Sequence, residues 1–324
     1  MNIYYKWILF LFTIGISIEA DAQCFKTAEF LHDIGNNAGF AAKMKALEVG
    51  GEYEKMVKAW DILRRNGRTI LKTDVDALGS LTTLLGNSKL ASKLPGKTPL
   101  EIENLLGKMK GYGDGTTSVS FKQVCDKVNE LVDELPTNTT NLDKYLGSAG
   151  FGNDNVYTNR HSWVQLERML EPSNKSFLKS ADEVIFENPI NGTPFGNSVS
   201  DIYIKKGSQI VEVETKAGLQ FFEGVSGSNF ATQSANSLTR VSSVADYKVI
   251  LNPERIATLS NTDKLSVVNA WKNHPNDFLG NTDIRDLFVE YWDDVPNISS
   301  NAQFENLLNT KNDWFDDIFK NNIQ

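Results

Sequence analysis

The chain has 324 residues, 40% of them hydrophobic and 23% charged, a globular composition that excludes a disordered or fibrous protein and is long enough for more than one core. Its formal charge of −8 excludes the broad basic surface that holds nucleic acid non-specifically, though not a small local channel.

At the amino terminus, Lys6 precedes an apolar run from Trp7 to Ile18, and Ala20-Asp21-Ala22 stands ahead of Gln23, the pattern of a cleavable secretory signal over residues 1–22. The run is too short to span a bilayer comfortably, and the flanks of Cys24 lack the aliphatic and small residues of a lipoprotein signal. The expected mature chain begins near Gln23, is secreted or periplasmic, and has no membrane anchor. Cys24 and Cys125 are the only cysteines; pairing in an oxidising compartment and two lone thiols are both open.

Helices are expected over residues 52–65, where Met56, Val57, Trp60 and Leu63 recur at helical spacing, and over 98–110 and 120–135. Thr98-Pro99-Leu100-Glu101 and Ser120-Phe121-Lys122-Gln123 are capping boxes, the first with proline at the opening helical position. Gly111-Tyr112-Gly113-Asp114-Gly115 reads as a loop, since no strand precedes it and its glycine spacing does not suit a phosphate-binding loop. Residues 136–140 read as a linker between a helical domain at 23–140, of unassigned role, and a second domain at 141–324.

In that second domain, Trp163, Leu166 and Leu170 mark a helix over 160–171, with Glu167 one turn after Trp163 and His161 as an exposed residue at the helix start. Residues 183–187 form a short strand ended by Asn188-Pro189. A β-hairpin follows over 198–216, turning at Lys206-Gly207, which sets Asp201 opposite Glu212 and diagonal to Glu214. Alternation puts Glu212, Glu214 and Lys216 on one face and Val211, Val213 and Thr215 on the other. Three carboxylates on one patch repel unless a divalent cation or the Lys216 ammonium offsets them; an ordinary solvated face is the alternative. A second helix over 228–245 carries Phe230, Leu238, Val241 and Val244, with Gln233 and Arg240 on one flank. Residues 247–251 read as a buried strand, and 263–272, 282–292 and 301–320 as helices of an acidic, aromatic tail whose rings face the core. Lys205, Lys206 and Arg240 are candidates to line a local basic channel.

The order helix, three strands, helix, strand, with Asp201 on the second strand and Glu214-Thr215-Lys216 on the third, resembles the PD-(D/E)XK nuclease superfamily over about residues 160–252. The resemblance implies an α/β fold with a restriction-endonuclease-like αβββαβ core, a mixed sheet flanked by helices, preceded by a helical region and followed by a helical tail. It implies Mg²⁺ (or Mn²⁺) held by Asp201, Glu214, the Thr215 carbonyl and Glu167, with Lys216 orienting water and stabilising charge, and with Glu212 and Gln233 in secondary roles. Ser200 stands where the motif has proline. The implied activity is hydrolysis of DNA or RNA phosphodiesters. A looser resemblance to nuclease modules of bacterial polymorphic toxins implies a cognate immunity protein as partner. A secreted, non-catalytic binding protein on a degenerate nuclease fold is the alternative, and a glycoside hydrolase fits less well, because acids so close together beside a lysine suit a cation better.

Overall fold

The computed structural model describes residues 26–33, 53–113, 118–191, 195–216, 222, 224–252, 260–273, 278–292, 298–319 and 323. The signal-like segment and Cys24 lie outside them, and Cys125 is buried. The chain divides into two compact units, residues 1–86 and 87–324.

In the first unit, residues 26–33 are helical and are followed by α1 (Tyr53–Arg65) and α2 (Val75–Gly86). The apolar stripe of α1 is buried as its spacing predicts, and Phe30 meets Tyr53 and Trp60 edge-on at 5.7 and 5.9 Å between ring centroids. Asp61 is buried beside this stripe. Burial alone would raise its pKa, but Lys26, Arg64 and Arg65 outweigh that cost and hold the carboxyl below its ordinary value.

The second unit opens with α3 (Pro99–Lys108), β1 (Tyr112–Gly113), β2 (Ser118–Val119), α4 (Phe121–Glu134), β3 (Thr139–Thr140) and α5 (Leu142–Leu146). Both expected capping boxes form, at Thr98 and Ser120, each worth about 1 kcal/mol of helix stability. The expected loop at Gly111-Tyr112-Gly113 is instead the first arm of a small antiparallel pair. Gly111 is required there because a Cβ would stand 1.9 Å from the Val119 carbonyl oxygen.

Next come α6 (Val156–Met169), α7 (Pro172–Lys179), β4 (Glu183–Ile190), β5 (Ser198–Lys206), β6 (Gln209–Lys216), α8 (Gly224–Leu238) and β7 (Tyr247–Leu251). The sheet order is β3-β4-β5-β6-β7: β4, β5 and β6 run antiparallel, β7 is parallel to β6, and β3 is parallel to β4. The class is therefore mixed α/β. Tyr145 of α5 stacks on Phe186 of β4 at 4.8 Å and donates its hydroxyl to the Ser162 carbonyl of α6, so these helices cover one sheet face. The other face, bearing Glu212 and Lys216, is covered by α8 and the turn after it: Gln233 of α8 accepts from Lys216, and Arg240, just beyond the helix end, pairs with Glu212.

Several expectations are corrected. Residues 136–140 are not a free linker, because Thr139 and Thr140 pair with Val184 and Ile185. The division between compact units falls after Gly86, so residues 87–140 share a unit with the sheet. β4 continues through Asn188-Pro189, which pair with Ser200 and Val199. Proline is tolerated because β3 covers β4 only at Val184 and Ile185, leaving the rest of that edge outside the ladder. The hairpin turns at Gly207-Ser208 rather than Lys206-Gly207: Lys206 pairs with Gln209 and Gly207 takes a left-handed φ of 60°. α8 ends at Leu238, so Val241 and Val244 are buried beyond the helix, the latter in a 3₁₀ turn (Val244–Asp246).

The tail forms α9 (Asn261–Lys272), α10 (Thr282–Leu287), α11 (Asn301–Thr310) and α12 (Asp313–Ile318). Its rings do face inward, and Trp271, Phe278, Phe288, Phe304 and Trp314 are fully buried together. Among the described residues no helix is long and apolar enough to cross a membrane.

Candidate functional site

The revised hairpin register decides which acids meet. With Ile202 paired to Val213 and Tyr203 to Glu212, Asp201 stands level with Glu214, not with Glu212. Asp201 Oδ2 accepts a 2.6 Å hydrogen bond from the Thr215 N–H, which fixes its carboxylate against the end of β6. Glu214 is 1% exposed; its Oε2 accepts from Lys216 Nζ at 3.1 Å, whereas its Oε1 has no hydrogen-bond partner. Lys216 also donates to Gln233 Oε1 at 2.8 Å, so the α8 amide reaches this cluster. Thr215 Oγ1, on the opposite side of the strand, is buried without a partner.

Burial is the main force on the Glu214 carboxyl and pushes its pKa up to about 8; Lys216 opposes this and the Asp201 charge adds to it. Burial works against the charged form of Lys216, but Glu214 and Asp201 outweigh it and hold the ammonium above its ordinary value. Asp201 and Glu214 thus share one ammonium, and an unpartnered buried carboxylate oxygen remains beside a second acid.

Glu212 belongs to a different arrangement. It is fully buried, level with Tyr203, and its Oε1 lies 3.1 Å from Arg240 Nη1. The Arg240 guanidinium stacks 4.9 Å above the Tyr203 ring, and with its amide oxygen turned toward it Asn188 accepts from Nη1 and Nη2 at 3.1 Å. Burial pushes Glu212 up to about 7 against the pull of Arg240. Arg240 is therefore not free to line a channel with Lys205 and Lys206, and Lys206 itself lies 5.2 Å over the Phe177 ring.

Glu167 is exposed on α6. His161 of α6 feels the charges of both Asp201 and Lys216 and lies about 120° around the helix from Glu167. Burial, reinforced by Lys216 and Arg160 and opposed by Asp201, lowers its pKa, so the imidazole is neutral near pH 7. His161 is half-buried in the second turn of α6, not an exposed residue at its start, because the helix begins at Val156.

The sequence reasoning also missed Glu187. It lies in β4 between Phe186, paired to Ile202, and Asn188, paired to Ser200, which puts it beside Asp201. Its φ of 47° is left-handed, a conformation costing a non-glycine residue about 1–3 kcal/mol. Burial, then the Asp201 charge, push its carboxyl up to about 7. The available signal is an acid directly before Asn188-Pro189 in an apolar strand, a dipeptide that by sequence reads as the strand's end.

The donor set suits a hard divalent cation: Asp201 and Glu214 offer oxygens only, and Glu214 Oε1 is an unsatisfied buried acceptor. Among the described residues, no group of three or more His, Cys, Asp or Glu is already spaced to hold a metal. Comparison with protein-family models, curated proteins and solved structures finds no match.

Proposed function

We propose that the chain is a secreted, metal-dependent nuclease with a PD-(D/E)XK-like site, hydrolysing phosphodiester bonds of DNA or RNA, and acting as an antibacterial effector with a cognate immunity protein. The observation that carries this reading is the level placement of Asp201 and Glu214 on adjacent strands, with Lys216 held between Glu214 and Gln233. The run of α6, the three antiparallel strands, α8 and the parallel β7 supports the restriction-endonuclease-like core, with α7 inserted after α6 and β3 added at the edge.

Asp201 and Glu214 would hold Mg²⁺ or Mn²⁺, with the Thr215 carbonyl as a further donor. When bound, the cation neutralises phosphate charge and acidifies a water. Lys216 carries its proton throughout and places an ammonium where negative charge develops on the phosphate. Gln233 fixes the direction of that ammonium, and the Thr215 N–H fixes the Asp201 carboxylate. Neutral His161 adds no positive charge to the cluster.

Plasmid DNA, total RNA and transfer RNA incubated with the purified protein should be cleaved with Mg²⁺ or Mn²⁺ and spared with chelator, and Asp201→Asn should be inactive with unchanged circular dichroism. Cleavage that ignores both chelator and this substitution would overturn the proposal. A second reading, a non-catalytic binding protein on the same fold, is favoured by one observation: no three acids among the described residues already stand at ligand spacing. Intact nucleic acid under every condition would put that reading first.

A further inference from the structure

We propose that the Tyr157 ring is a platform on which an unpaired base of the substrate stacks beside the scissile phosphate, so that single-stranded nucleic acid, DNA or RNA, is cleaved in preference to a duplex. The inference rests on the nuclease reading above and names its substrate class.

Tyr157 is 59% exposed, and among the described residues it is the one aromatic left mostly in solvent. Its N–H is held by the Asn155 side chain that caps α6, while its ring and hydroxyl meet no partner among those residues. Position decides what such a ring can serve. α6 runs from the Lys216 end of the sheet toward the hairpin turn. His161 in its second turn feels the charges of Asp201 and Lys216, whereas the Arg168 carbonyl at its far end accepts from Asn174 of α7, whose Phe177 ring lies under Lys206 beside the turn. The level of the second turn is fixed by Tyr145, which donates to the Ser162 carbonyl and stacks on Phe186, the partner of Ile202 next to Asp201. Tyr157 precedes His161 by four residues, about 6 Å along the axis and about 40° around it, and helical side chains lean toward the amino-terminal end. Its ring therefore stands on the solvent side of His161, at the end of the sheet where Asp201 and Lys216 lie.

Charge points to the same ligand. With a formal charge of −8 the chain lacks the broad basic surface from which nucleic-acid affinity ordinarily comes, and stacking on a ring supplies affinity without it. The exposed Lys144 of α5, whose charge is felt by Glu187, offers one cation to a neighbouring phosphate. A base inside a duplex has both faces covered by its neighbours, so only an unpaired one can lie on Tyr157 without first being extruded.

The test is cleavage, with Mn²⁺, of a fluorescein-labelled oligonucleotide and of the same strand annealed to its complement, each as DNA and as RNA. The wild type should favour the single strand by about tenfold or more in kcat/KM. Tyr157→Ala should raise KM for the single strand about tenfold, leave kcat within about twofold, and shrink that preference by the same factor, with the thermal midpoint unchanged. Tyr157→Trp should keep the wild-type KM, because stacking needs a ring and not a hydroxyl. A fluorescent adenine analogue in the strand should be quenched on binding the wild type and the Trp variant and stay bright with the Ala variant, a signature that a residue serving only the helix would not give. Equal cleavage of strand and duplex, a Tyr157→Ala KM within about twofold of the wild type, or a Trp variant as weak as the Ala variant overturns this inference and leaves the nuclease reading standing. If the wild type cleaves none of these substrates, both fall.

Discussion

Two residues apart on one face of β6, Glu212 and Glu214 are both buried acids with a basic partner, yet they sit in opposite circumstances. Glu212 meets one guanidinium held in place by Asn188 and by the Tyr203 ring, so charge is balanced one to one. Glu214 shares its ammonium with Asp201, while oxygens without a hydrogen-bond partner occur on both acids, Oε1 of Glu214 and both oxygens of Glu212. The first arrangement ties the turn after α8 to the sheet, and the second leaves two acids beside one ammonium. Burial of acids therefore does not identify a site; the imbalance between acids and their partners does.

The largest effect should come from breaking the balanced pair. Arg240→Ala leaves Glu212 buried without a counter-charge and should cost about 3–5 kcal/mol in urea denaturation, with most of it recovered in Glu212→Gln/Arg240→Met. A loss below about 1 kcal/mol would show that the pair is no more than a surface ion pair.

At the unbalanced end, Lys216→Met should lower the cleavage rate on the order of 100-fold, as expected for losing charge stabilisation in the transition state, while Mn²⁺ affinity stays the same or tightens. Equal losses in rate and affinity would mean that Lys216 only organises the acids.

The smallest effect is on pH dependence, and it separates the two acids. In the folded chain Glu214 is raised to about 8 and Glu212 to about 7, from an ordinary value of 4.5. Between the ordinary and the raised values the folded state binds more protons at these two acids than the unfolded state, so the stability they contribute is fullest below pH 4.5 and falls as pH rises through 7 and 8. Thermal midpoints of the metal-free protein in chelator should decline over that window. Glu212→Gln should flatten the lower part of the decline, and Glu214→Gln the upper part. A midpoint that rises from pH 5 to 8 in both variants and the wild type would contradict these shifts.

Much of this architecture is legible in the sequence where local chemistry decides it. Thr98 and Ser120 cap their helices as their motifs dictate, and Tyr247–Leu251 is a strand with the predicted bounds. What escapes is what depends on pairing. A shift of the hairpin turn by one residue, to Gly207-Ser208, moved the partner of Asp201 from Glu212 to Glu214, because turn position sets register for the whole ladder. Glu187 was hidden because a proline that would end a central strand is accepted at a largely uncovered edge. α2 was hidden because Gly79, Ser80, Thr82 and Thr83 interrupt its apolar pattern, although Leu78, Leu81 and Leu84 are buried. Glu167 matches the first-helix glutamate that the nuclease resemblance implies, but neither the resemblance nor its helical spacing gives the direction of the sheet, and the residue is exposed.

Thr139 and Thr140 cover β4 at Val184 and Ile185, two positions on the edge away from β5, which among the described residues is otherwise paired with no strand. A bare strand edge is a template for another chain and hence a point of self-association. The segment that resembles a spacer thus acts as a guard on the sheet. Proteolytic nicking between Thr140 and Glu183 that frees this segment should turn a monodisperse protein into one that aggregates through β4.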